Sequence, residues 1–369
     1  MFPLILSNAP PPNGLKRVAA GGANVIRTGI PDWSTEFVDG QLQNERAKLD
    51  AAHANGLRCW VWLGSLPNLP PQPGSDREKL LAKVVNGLKG HPALFAWKGI
   101  DEPAWGKVPV AGLVRAYKRI KALDPAHPVV IIQAPRGTAA QLQPYRPAYD
   151  VTGADVYPVS YPPGIHAGGA NKDVSVVGDV TRKMAASAGA KPVWTTLQIA
   201  WSGVTKPGAV PRFPTLQEER FMAYQAIVAG ARGLAFFGGH LTQVMRPADA
   251  RAGWNWTFWA EVLRPLLTEL SSTAVAPALV APTAKAKVTA SAKDVQLTAR
   301  SADGFLYVIA VRRGGGETSQ VTFTGLPPVT GGQALFEYVQ QQFRSVPVSG
   351  GAFQDWLGPH DARVYRFRL

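Results

Sequence analysis

Two adjacent carboxylates, Asp101 and Glu102, end the stretch Leu94-Phe-Ala-Trp-Lys-Gly-Ile-Asp-Glu-Pro103. An apolar, aromatic run of that length reads as a strand in a sheet interior, so the acids stand where the strand surfaces. Neighbouring carboxylates resist ionising together. One of them then holds its proton toward neutral pH, the property a general acid needs. Pro103 cannot continue a central strand but suits the first turn of a helix. The plainer reading is that Asp101 caps that helix and Glu102 is a solvated first-turn acid. A third acid, Asp155, lies near the end of the run Val151 to Tyr157, with Tyr157 beside it.

The elements that must hold these groups follow one pattern. Strand-like runs at Phe2–Leu6, Asn24–Thr28, Leu57–Leu63, Leu94 onward, Pro128–Gln133, Val151–Tyr157, Pro192–Leu197 and Gly233–Phe237 alternate with helical stretches. Repeated βα units predict a parallel sheet, and eight of them predict a (β/α)8 TIM barrel over residues 1–272. In such a barrel the chemistry sits at the C-terminal ends of the strands. Thr215-Leu-Gln-Glu218 is a capping-box pattern that starts the seventh helix, so Glu218 and Glu219 read as capping and surface charge. Ala274 to Lys287 reads as a linker of small residues and proline. Short alternating runs follow at Val288–Ala290, Val295–Ala299, Phe305–Val311, Gln320–Phe323, Ala334–Tyr338 and Ala362–Phe367. Residues 273–369 are therefore expected to form a small antiparallel β-sandwich that supports the barrel.

Composition narrows the function. The formal charge is +14, yet the basic residues are scattered and no run of five or six occurs, so a nucleic-acid partner is not expected. A basic surface does favour an acidic polymer by long-range attraction. No apolar run reaches the ~18 residues of a membrane span, and the start, Met1-Phe-Pro-Leu-Ile-Leu-Ser, lacks the basic leader of an export signal. The lone Cys59 excludes an internal disulfide and a cysteine metal site. The six histidines are dispersed, His240 has no second histidine at ligand spacing, and no metal or cofactor is expected. Neither a phosphate-cradling glycine loop nor a G-x-S-x-G elbow is present.

Several motifs together resemble the (β/α)8-barrel glycoside hydrolases of clan A. They are Gly90-His-Pro-Ala-Leu-Phe-Ala-Trp with Asp101-Glu-Pro, Gly153-Ala-Asp-Val-Tyr-Pro, Pro192-Val-Trp, Gly230-Ala-Arg-Gly and Gly253-Trp-Asn-Trp. The resemblance implies a carbohydrate substrate and makes Glu102 the general acid/base, with Asp101 where the clan has asparagine. It fails at the seventh strand, where the clan has a nucleophilic glutamate and this chain has Thr195-Thr-Leu-Gln198. Asp155 or Asp101 then supplies the second carboxylate, or Gln198 positions water or substrate, or the barrel binds sugar without cleaving it. Sugar rings stack on aromatic faces, which makes Trp62, Tyr157, Trp201 and Trp254 candidate contacts. Trp97, in mid-strand, reads better as core. Arg27 at a strand exit is suited to a substrate hydroxyl or to holding an acid, and His240 stands at the eighth strand's exit.

Overall fold

The computed structural model describes residues 1–160, 170–201, 203, 208, 212–314, 316–337 and 343–369. Eight parallel strands close into a barrel in sequence order: β1 (Leu4–Leu6), β2 (Val25–Gly29), β3 (Arg58–Trp62), β4 (Leu94–Lys98), β5 (Val129–Gln133), β6 (Val151–Asp155), β7 (Val193–Gln198) and β8 (Leu234–Phe237). The ring shuts where β1 pairs with β8, Ile5 opposite Ala235. Alternate residues point inward, and this fills the lower barrel with Ile5, Val25, Trp60, Ala96, Val130, Val151, Trp194 and Ala235. Trp194 meets Trp60 edge-on and stacks on Phe95, both with centroids 5.9 Å apart. These rings plug the floor, so a polar layer survives only at the upper, C-terminal end.

The outward residues pack under amphipathic helices such as Asp76–Leu88, whose Leu80, Leu81, Val84, Val85 and Leu88 are all buried. Helix Leu216–Val228 starts with both halves of the expected capping box, between Thr215 and Glu218. The last helical stretch, Trp256–Ser271, widens into a π turn at Trp259–Leu263 just before Pro265, a residue that would leave an ordinary helix one hydrogen bond short.

Glu219 is not the surface charge its first-turn position predicts. It is wholly buried, and neither carboxyl oxygen finds a partner among the described residues. Burial raises its pKa well above the usual carboxylate range. The proton is therefore held more tightly in the folded chain, and the stabilisation this gives is full below the unfolded pKa and lost as pH rises through the folded one. Glu219→Met is expected to stabilise the protein by about 1–3 kcal/mol at pH 8. The gain should shrink at pH 5, and urea midpoints at the two pH values measure both effects.

Residues 274–287 are also not a tether. Ala276–Val280 is a short helix, and Val275, Ala278 and Leu279 are buried in the barrel's own apolar core. Beyond it come β9 (Thr289–Ala290), β10 (Val295–Ala302), β11 (Phe305–Arg312), β12 (Ser319–Thr324), β13 (Gly331–Leu335), β14 (Arg344–Pro347), β15 (Ala352–Leu357) and β16 (Ala362–Arg368). They form an antiparallel sheet in the order β10-β11-β16-β13-β14 and a second in the order β15-β12-β9. β14 and β15 were not expected from sequence, and Tyr338, the expected end of one strand, lies outside the described residues. Along β11, Leu306, Val308 and Ala310 face the sandwich core, while Tyr307, Ile309 and Val311 join the core of the barrel. Arg220 ties this junction together: it pairs with Glu269 at 2.8 Å and donates to the carbonyl of Ala362 in β16 at 2.5 Å.

Candidate active site

The strand ends meet at a cavity of about 210 Å³ lined by Ser7, Arg27, Trp60, Lys98, Asp101, Glu102, Ile132, Asp155, Tyr157, Thr196 and Phe237. All eight strands or their exits contribute. Inward-pointing positions make the selection: Arg27, Lys98, Thr196 and Phe237 each lie two residues beyond an interior residue of the plugged floor. A roomier cavity of about 770 Å³ lies between helix Leu216–Val228 and the sandwich. Its acids are already committed, Glu269 to Arg220, Glu337 to Arg344 and Asp361 to Arg363.

Glu102 is held by its backbone. Its N–H donates to Ile132 of β5 at 2.9 Å, and its carbonyl accepts from Gly106 at 2.9 Å. Its φ of 44° lies in the left-handed region, where a glutamate is strained and where functional residues concentrate. The loop below it is tied at several points. Val108 donates to the carbonyl of Pro103 at 2.8 Å, the Tyr145 hydroxyl to Val108 at 3.0 Å, and Ala104 to the Gln133 amide oxygen at 3.1 Å. Pro103 thus sits in a turn, and the helix expected there begins only at Val110. Asp101 caps no helix. It pairs with Lys98 at 2.5 Å.

Glu102 and Asp155 line the same cavity, and each bears on the other's ionisation. Burial raises both pKa values above the ordinary range, that of the deeper Asp155 furthest; the Glu102 charge raises Asp155 further, whereas on Glu102 the neighbouring Asp155 acts downward and Asp101 upward. The two acids therefore titrate together rather than independently. The Tyr157 hydroxyl is driven upward by burial and then by the Asp155 carboxyl. Its ring stacks on Phe237 at 5.5 Å and 15° to make one wall.

Lys98, which sequence reasoning passed over, is only 3% exposed. Its ammonium lies 5.1 Å from the Trp62 ring and 5.7 Å from Trp60. Burial lowers its pKa and Asp101 opposes that. The available signal was a lone lysine closing an otherwise apolar strand. Arg27 donates Nε–H to the carbonyl of Ser7 and lies over the Trp62 ring at 4.8 Å. Trp62 thus backs the two cations without lining the cavity. His240 stands exposed at the rim against Phe237, its pKa lowered by partial burial and by the charge of Arg27.

Three expected contacts lie elsewhere. Gln198 is fully buried and spends its whole amide on the backbone of Val159, accepting at 2.8 Å and donating at 2.7 Å. It fastens β7 to the segment after β6 and does not line this cavity. Trp254 is fully buried, gives its N–H to the carbonyl of Asn8 at 3.1 Å and packs against Trp256 and Trp259. Trp201 is buried behind Tyr157, outside the cavity lining. Trp97 points outward and bonds Asp124 at 2.8 Å, a core role as expected. Among the described residues no cluster of His, Cys, Asp or Glu forms a metal site, and no helix is long and apolar enough to cross a membrane.

No protein-family profile matches the chain, and no curated protein matches it in sequence. Solved structures do match in shape. A family 5 glycoside hydrolase from Bacteroides vulgatus superposes with a TM-score of 0.68 at 13% identity, over 100% of this chain and 88% of that one. A GH30 endoxylanase from Clostridium papyrosolvens gives 0.58 at 12% identity, over 100% and 97%. An Anoxybacillus α-amylase gives 0.61 at 12% identity, over 97% and 89%. At such identities the likeness establishes the architecture, a TIM barrel followed by a β-sheet unit that recurs in glycoside hydrolases.

Proposed function

We propose that the protein is a glycoside hydrolase acting by carboxylate acid/base catalysis at the C-terminal mouth of its barrel. The observation that carries this reading is the Glu102–Asp155 pair, two acids of raised pKa lining one cavity walled by aromatic rings. Glu102 is the more accessible member and donates the proton to the leaving glycosidic oxygen. Asp155 holds that proton in reserve, and its own charge emerges as the sugar becomes cationic. Asp101, fixed by Lys98, is the standing negative charge beside the reacting carbon; water bonds to that carbon as the glycosidic oxygen leaves, and its proton restores the Glu102–Asp155 pair. Tyr157 and Phe237 offer ring faces, and Arg27 offers N–H donors to hydroxyls. About 210 Å³ is less than a drug-sized pocket. One sugar ring occupies it and the remainder of the substrate lies across the rim.

The solved relatives in shape are described as acting on xylan and as amylases, which supports glycan hydrolysis without choosing the sugar. The test is release of new reducing ends from a panel of polysaccharides and aryl glycosides, with binding measured in parallel. Cleavage of any member supports the proposal. Binding without cleavage across the panel overturns it and leaves a carbohydrate-binding barrel, a reading consistent with Gln198 standing where the clan keeps its nucleophile.

A further inference from the structure

Trp105, three residues past Glu102, is 58% exposed although it is one of the largest apolar side chains in the protein. The loop that presents it is the tied segment 102–108, so the indole sits on a rigid mount. The guanidinium of Arg136, at the exit of β5, lies 4.5 Å from its ring centroid. Among the described residues Arg136 has no hydrogen-bonding or ion-paired partner, and its charge is felt by Glu102. The carbonyl of its neighbour Pro135 accepts from Lys183 at 3.0 Å, which fixes the backbone that carries it.

Of the three cations near the site, Lys98 is paired with Asp101 and Arg27 gives its Nε–H to the carbonyl of Ser7 inside the cavity. Arg136 is the exposed one, and among the described residues its guanidinium has only the Trp105 ring as a neighbour. An exposed indole stacks a sugar ring, and an unpaired guanidinium beside it donates two parallel N–H groups to a carboxylate or a sulfate.

We propose that Trp105 and Arg136 form an outer subsite that binds a sugar unit carrying an anionic group, so that the substrate is an acidic glycan. This rests on the glycoside hydrolase reading for its place beside the cleft, but its test needs no turnover. Binding is measured by calorimetry on the Glu102→Gln protein with tetragalacturonate, its carboxyl-reduced neutral counterpart, and sulfated and desulfated galactan tetrasaccharides. The expected result is that one acidic member binds about tenfold more tightly than its neutral counterpart at low salt, the preference shrinking as salt screens it. Which pair shows the preference tells a carboxylate from a sulfate. Arg136→Met in the same background should bring the acidic-to-neutral ratio close to one, and Trp105→Ala should weaken acidic and neutral oligomers alike. Equal binding of acidic and neutral members, binding of none, or an unaltered ratio in Arg136→Met overturns the proposal. A preference that survives in a protein hydrolysing nothing keeps the subsite and removes the catalytic reading.

Discussion

Glu102→Gln should lower kcat about a thousandfold while leaving the melting temperature unchanged or slightly higher. The size follows from its role: an amide keeps the shape but has no proton to give the leaving oxygen. Stability should not suffer, because the substitution relieves two facing carboxyls of sharing a half-buried space. The measurement is steady-state hydrolysis of whichever glycan the panel identifies, together with thermal unfolding of both proteins. Turnover within tenfold of the parent would remove Glu102 from the chemistry. An aryl glycoside with a good leaving group should lose far less, since a phenolate departs without protonation. That contrast separates a missing acid from a misshapen site.

Asp155→Asn is the second large effect, and its signature is a shift in pH dependence. In the parent protein burial and the companion carboxyl make the pair keep its proton above the usual carboxylate range. Activity depends on that proton and falls as pH rises through the elevated value at which it leaves. An asparagine removes the acid that holds its proton furthest above the ordinary range, so the last proton to leave is that of Glu102 alone. The alkaline limb of kcat/KM should therefore move down by about one pH unit or more, with kcat at the optimum falling about a hundredfold. A limb that stays in place would show that the two carboxyls do not share a proton.

Much of the barrel was legible in the chain because strand and helix periods alternate with clear turn chemistry, and all eight strands lie within about two residues of the runs that predict them. The acids at the ends of β4 and β6 were legible for the same reason: polar residues closing buried runs. What was not legible depends on distant neighbours. The amide of Gln198 is consumed by Val159, 39 positions away in sequence. Lys98 gains meaning only when curvature brings the rings of Trp60 and Trp62 to its ammonium. Glu219 obeys the local preference of a helix start, yet packing around that helix buries it. β14 and β15 are short, and the second carries a buried Asp355 whose partners, Arg344 and Tyr365, come from two other strands.

The junction along β11 has a consequence for how the protein holds its cleft open. Tyr307, Ile309 and Val311 are as much the roof of helix Leu216–Val228 as they are part of a sheet, and Arg220 bolts that helix to β16. The rear unit is therefore a buttress rather than an appendage on a string. A chain cut short after Ser272 would leave an oily flank of the barrel wet and leave Arg220 with Glu269 but without its strand partner, and the frame around the two acids would slacken from behind.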